Sequence, residues 1–127
     1  MKTSELRIGN RLLHNGQEIT VQSIFEDSIN LDITGNWEVV HSIPIDQCEP
    51  ILLTELHLQK IGFKRQFVSP DLERWSQSGF SLHGYSNKEE GLHFWLGYYI
   101  NSKNKDIEYL HQLQNLYQSV TGEELEL

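Results

Sequence analysis

Cysteine, proline and basic side chains are all scarce in this 127-residue chain, and each shortage removes a class of protein. Cys48 is the only cysteine, so no disulfide can form within the chain and no cysteine-built zinc site can be assembled. That usage fits a reducing compartment, and a cytoplasmic location is expected. Three prolines, with 38% hydrophobic and 22% charged residues, fit a packed domain and not an extended or disordered chain. Ten Lys and Arg stand against 18 Asp and Glu, a formal charge of −8. The deficit is shared, since residues 1 to 53 carry three basic and eight acidic side chains and the remainder carry seven and ten. Nucleic-acid binders neutralise phosphates with clustered Lys and Arg, and the nearest cluster here is Lys60, Lys64 and Arg65. Direct, tight nucleic-acid binding is therefore disfavoured. No segment approaches the roughly 20 apolar residues of a membrane span. The start of the chain, Met1 to Arg7, lacks the apolar run of about seven to fifteen residues that a secretory signal needs. Neither a membrane nor a secreted protein is expected.

What is present is the material for one α+β domain, because single domains commonly run to about 100–150 residues. The expectation is a single compact unit over residues 1–127, with a β-rich lobe over 1–52 and a second lobe over 53–127. Arg11 to His14 and Glu18 to Ile24 flank Asn15-Gly16, the dipeptide suited to a type I′ hairpin because both turn positions need positive φ. In such a hairpin Leu12 falls opposite Ile19 and one face can be buried. Ile29, Leu31 and Ile33 alternate with polar residues, Gly35-Asn36 marks a turn, and Trp37 to Ser42 reads as another strand. Four or five short strands in so little chain leave long edges, which a small, strongly bent barrel of the Src-homology-three type would close.

Residues 53 to 63 read as a short helix with both ends specified. Thr54 is the N-cap candidate, Leu53 and Leu58 occupy the staple positions, and Gly62 can turn left-handed to bring Phe63 back toward Leu58. Phe63 to Val68, Leu72 to Gln77, Phe80 to Tyr85 and Leu92 to Ile100 then read as an antiparallel meander. In its last strand Leu92, Phe94, Leu96, Tyr98 and Ile100 share one face, joined by Phe80 and Leu82 from the neighbouring strand. From Asp106 to Val120 the spacing predicts the longest helix, with Ile107, Tyr109, Leu110, Leu113, Leu116, Tyr117 and Val120 on its apolar half and Gly122 near its end. This amphipathic helix is expected to cover the C-terminal sheet, with Leu110, Leu113 and Tyr117 against Phe94 and Leu96.

Several stretches fall in a recognisable order: Glu5-Leu6-Arg7-Ile8-Gly9-Asn10, then Glu49-Pro50-Ile51-Leu52-Leu53-Thr54-Glu55 leading to Ile61-Gly62-Phe63. Last come Tyr109 to Tyr117 and Thr121-Gly122-Glu123-Glu124-Leu125. Together they resemble a family of small uncharacterised proteins of Bacteroides-type bacteria and their phages or mobile elements. The resemblance spans nearly the whole chain and is most specific in the C-terminal run. It carries no known activity, so it implies no catalytic residue. Residues 64 to 100 offer no motif.

Candidate chemistry is sparse. His111, Gln112 and Asn115 share a polar helix face where an imidazole and amides could meet a ligand, or else bond backbone and water. His83 and His93 flank a loop with Glu89 and Glu90, and paired strands would turn both imidazoles to one side, the start of a divalent-metal site that still lacks a third ligand. Tyr85, Trp95 and Tyr99 line the same outer face with Ser81, and Gly97 leaves a gap between the aromatics where a flat ligand or partner could sit. The opposing expectation is that this face is buried between lobes. Cys48 lies near Asp46 and Glu49, whose charges would raise its pKa instead of activating it. No nucleophile elbow and no phosphate loop occurs. These readings favour a non-enzymatic interaction or accessory protein with a protein partner and no cofactor. A small metal-dependent hydrolase using His83 and His93, or a nucleic-acid-associated protein, are the alternatives.

Overall fold

The structure is a computed structural model that describes residues 1–24, 28–32, 41–70, 72–87, 91–96 and 106–127. At residues 28–32, 41, 42, 85–87, 91–96 and 106 it describes strand backbone alone. The chain is mixed α+β and divides into two compact units, Met1–Leu52 with Tyr109–Leu116, and Leu53–Glu108 with Tyr117–Leu127.

In the first unit, β1 (Arg11–His14) and β2 (Gln17–Ile24) meet through Asn15 at φ 51° and Gly16 at φ 77°, the left-handed pair that a two-residue hairpin requires. The register sets Leu12 opposite Ile19, as the turn chemistry predicts. Three more strands follow: β3 (Ser28–Asp32), β4 (His41–Pro44) and β5 (Glu49–Pro50). All pairs are antiparallel, in the order β4-β3-β2-β1-β5. A 3₁₀ turn, Ile45–Gln47, leads from β4 to β5, and the β2–β3 ladder shifts register between Val21 and Ser23. Among the described residues no ladder joins β4 to β5. Leu6, Leu12, Ile19, Val21, Ile43 and Cys48 form its core. Fully burying one such aliphatic side chain stabilises the fold by about 1.5–3 kcal/mol. The expected strand residues Ile33 and Trp37, and the Gly35-Asn36 turn, lie outside the described residues.

The second unit begins with α1 (Glu55–Ile61). Thr54 caps it by accepting the His57 backbone N–H at Oγ1, and His57 Nδ1 accepts the Thr54 N–H at 3.1 Å in return. An imidazole thus takes the place a Glu or Gln usually fills in a capping box. At the other end Gly62 sits at φ 104°, and the Phe63 N–H donates to the Leu58 carbonyl at 3.0 Å, the closing bond of a Schellman motif. The sheet that follows runs β10-β9-β8-β7-β6, all antiparallel. Its strands are β6 (Lys64–Ser69), β7 (Leu72–Gln77), β8 (Phe80–Asn87), β9 (Gly91–Leu96) and β10 (Asp106–Ile107). Trp75, Phe80 and Leu82 are buried on one face. The Phe80 ring meets Phe63 and Tyr117 edge-on, at centroid distances of 6.1 and 5.2 Å. Residues 97–100 of the expected last strand fall outside the described residues.

The C-terminal helix differs from its sequence reading at both ends. It is α2 (Leu110–Thr121), not Asp106 to Val120. Asp106 and Ile107 instead pair with Trp95 and Phe94 of β9 as strand β10. The next backbone groups are also taken: the Leu53 N–H donates to the Glu108 carbonyl at 2.9 Å, Leu52 bridges Tyr109, and the Leu110 N–H donates to the Ile51 carbonyl at 2.8 Å. A helix cannot start while its backbone is committed to neighbouring strands. Leu110, Leu113 and Tyr117 are buried as expected, whereas Val120 is 44% exposed. Only Tyr117 and the final turn group with the C-terminal sheet, and Tyr109–Leu116 group with the first unit. The expected packing on Phe94 and Leu96 falls on side chains that lie outside the description.

Candidate functional site

The densest polar cluster joins the loop at residues 5–11 to the first turns of α2, within the first unit. Asn10 is fully buried, and its Nδ2 donates to Asn115 Oδ1 at 2.8 Å. Asn10 Oδ1 accepts the Arg7 N–H at 2.7 Å, and its backbone carbonyl accepts the Val21 N–H at 2.9 Å. Asn115 Oδ1 also accepts from Arg7 Nε at 3.2 Å, while Asn115 Nδ2 donates to the Glu5 carbonyl at 3.0 Å. From the preceding residue of α2, Gln114 Nε2 donates to the Gly9 carbonyl and Gln114 Oε1 accepts the Arg11 N–H, at 3.0 and 2.9 Å. Gly9 holds φ 96°, a left-handed bend that brings its own N–H to the Val21 carbonyl. Every amide atom of Asn10, Gln114 and Asn115 is thereby used inside the chain. Asn10 and Gln114 escaped the sequence reading because a buried amide has no periodic signature; their placement depends on two segments far apart in sequence.

The His111–Gln112–Asn115 face is therefore a correction. It is not one polar surface: His111 is 2% exposed, Gln112 is exposed, and Asn115 belongs to the clasp just described. Gln112 Oε1 accepts the Tyr109 N–H at 3.0 Å, so it caps the helix start. The His111 imidazole stacks on the Tyr109 ring, 5.9 Å between centroids at 7°. Its Nδ1 is buried without a hydrogen-bond partner among the described residues. Burial lowers its pKa below the ordinary 6.5, opposed by the Glu5 carboxylate and reinforced by the chain's N-terminal ammonium.

On the C-terminal sheet the register places Tyr85 opposite His93 and His83 opposite Trp95, which sets the two histidines on a diagonal of one strand pair. His83 is half-buried beside Ser81, and burial first, then the Arg74 guanidinium across the ladder, lowers its pKa. The side chains of Tyr85, His93 and Trp95, and the whole of Tyr99, lie outside the description, as do Glu89 and Glu90. Among the described residues no three His, Cys, Asp or Glu groups converge on a metal-sized centre. Cys48 is buried, and burial and the Asp46 charge both push its thiol pKa up.

A second cluster had no counterpart in the sequence reading. Glu73 is 8% exposed and lies on the buried face of β7 beside Trp75. Its carboxylate accepts from Trp75 Nε1 at 3.1 Å, from Arg65 Nη2 at 3.0 Å, and from Arg65 Nε. Arg65 also reaches Glu55 at 3.8 Å, and its guanidinium carbon stands 4.5 Å from the Phe67 ring centroid and 5.4 Å from that of Trp75. The signal available in the sequence was Glu73 two residues from Trp75, hence on the same strand face, which demands a buried cation once Trp75 is core.

Among the described residues, no helix is long and apolar enough to cross a membrane. No protein-family model, curated protein or solved structure matches the chain.

Proposed function

We propose that this is a non-enzymatic interaction protein of the cytoplasm, an accessory factor of the kind carried by phages and mobile elements of Bacteroides-type bacteria, that binds another protein through the edge of its C-terminal sheet. The observation that carries the reading is β6. Among the described residues it ends the sheet with a single neighbour, all six of its residues are exposed, and Phe67 and Val68 are 67% and 50% exposed. An edge strand of that length presents unpaired backbone donors and acceptors, the surface that strand-adding partners use. The polar clusters support the same reading, since the amides of Asn10, Gln114 and Asn115 and the carboxylate of Glu73 are occupied within the chain. The first unit's strand order, with a 3₁₀ turn between its last two strands, suits a bent, barrel-like scaffold.

Two measurements test the reading. Calorimetric titration with zinc chloride should show no stoichiometric uptake; uptake abolished by His83→Ala would replace it with the metal-dependent hydrolase. Salt-sensitive retention on immobilised RNA or DNA would replace it with a nucleic-acid-associated role.

A further inference from the structure

Resting on that reading, we infer that the occupant of the β6 edge is an extended segment of another polypeptide in which acidic and apolar residues alternate. Side chains of a strand alternate between faces, so β6 offers two different rows. Lys64 and Gln66 share one row and pair in register with Ser76 and Arg74 of β7. Arg65 and Phe67 share the other and pair with Trp75 and Glu73. The first row is electropositive: Lys64 and Arg74 are exposed, no carboxylate occupies a described position beside them on β6 or β7, and Lys64 has no ion-pair partner among the described residues. This is a local excess of positive charge in a chain of formal charge −8. In the second row the one cation is already neutralised, because Glu73 and Glu55 hold the Arg65 guanidinium, and the surface left for a partner is the largely exposed Phe67 ring against which that group lies.

A strand added beside β6 places alternate side chains next to these two rows. Carboxylates fit beside Lys64, and apolar side chains fit beside Phe67. Backbone hydrogen bonds would supply most of the affinity, and the two rows the selectivity. A lysine on an edge strand commonly blocks pairing, and the β6–β7 register shift between Phe67 and Ser69 adds some protection. Two consecutive exposed apolar residues are not protective, and a lysine repels another basic edge while attracting an acidic one.

The test uses the full chain and a blocked ten-residue peptide of alternating Glu and Val, followed by backbone amide NMR. The expected result is saturable binding with shifts concentrated at residues 64–69, and a peptide of alternating Lys and Val binding more weakly. Lys64→Glu should weaken the Glu/Val peptide roughly two- to fivefold, the range of one exposed ion pair, and narrow or reverse the preference. Phe67→Ser should weaken both peptides while the amide spectrum away from β6 stays native, which separates lost binding from lost folding. No binding of the Glu/Val peptide, equal binding of the two peptides, or shifts confined to the Ser81–His83 region would overturn the inference. So would dimerisation in analytical ultracentrifugation that Phe67→Ser abolishes, since a second copy would then be the occupant. None of these results touches the non-enzymatic reading, which falls on the zinc and nucleic-acid measurements instead.

Discussion

Asn10 and Asn115, 105 positions apart, share a 2.8 Å hydrogen bond that ties the loop before β1 to the second turn of α2. Each is also bonded to Arg7, so the three residues form a closed set in which no buried amide atom of Asn10 is left over. Removing one member exposes the others to the full cost of desolvation.

Asn10→Ala and Asn115→Ala are each expected to destabilise the protein by about 1–3 kcal/mol, the cost of leaving buried polar groups unsatisfied. The double mutant should cost less than the sum of the two. Urea denaturation of the four proteins in the cycle gives the coupling, and strict additivity would show that the bond contributes nothing of its own.

Glu73→Gln tests the second cluster. The amide keeps the shape but loses the charge that pairs Arg65, and it sets an NH2 donor where one of the two oxygens accepted from Arg65 or the Trp75 indole. A loss of roughly 2–3 kcal/mol is expected, below the 3–5 kcal/mol of a fully buried broken pair because Arg65 reaches solvent. Pairing the change with Arg65→Met should restore part of it. A midpoint unchanged by Glu73→Gln alone would mean that the carboxylate is solvated.

The pH dependence follows from His111. Its folded-state pKa lies below the unfolded value of 6.5, so the unfolded chain binds the additional proton. Stability should be fully present above that value and should fall as pH drops through it, levelling only below the folded-state pKa. His111→Phe should flatten this dependence, as read from thermal midpoints across the range. A wild-type slope of the opposite sign would show that Glu5 outweighs burial.

Gly16 holds φ 77° with nothing within 4 Å of a Cβ built upon it. The cost of Gly16→Val is therefore conformational and not steric crowding, of order 1–2 kcal/mol or more for a β-branched residue in the left-handed region. Gly16→Asn should cost clearly less, because Asn tolerates that region. Equal losses for the two variants, measured by chemical denaturation, would contradict the turn geometry.

Local chemistry made some elements legible from the residues alone. Asn15-Gly16 specified the first hairpin and the Leu12–Ile19 register, and Thr54 and Gly62 bounded α1. β7 runs over Leu72–Gln77, the bounds that its flanking turn signals predict. Each of these depends on backbone preferences and capping bonds that act within a few residues. The start of α2 was misread because the helical spacing of Ile107 and Tyr109 is real, yet both residues are held in extended pairings by β9 and by residue 52.

The sequence by itself determined the class of the protein, its turns and caps, and the residues available for a core, since these follow from composition and short-range sterics. Only tertiary structure decided which polar residues would be buried and with whom. His111, Gln112 and Asn115 look alike on a helical wheel, and they part company because the 5–11 loop covers some of that face and leaves Gln112 at the helix end to cap it. Glu73 looks like a surface charge until Arg65 meets it from the neighbouring strand β6 and the Trp75 indole from its own strand. A buried polar group is stable only when its partner arrives, and that partner comes from another segment of the chain, at a separation that no local pattern encodes.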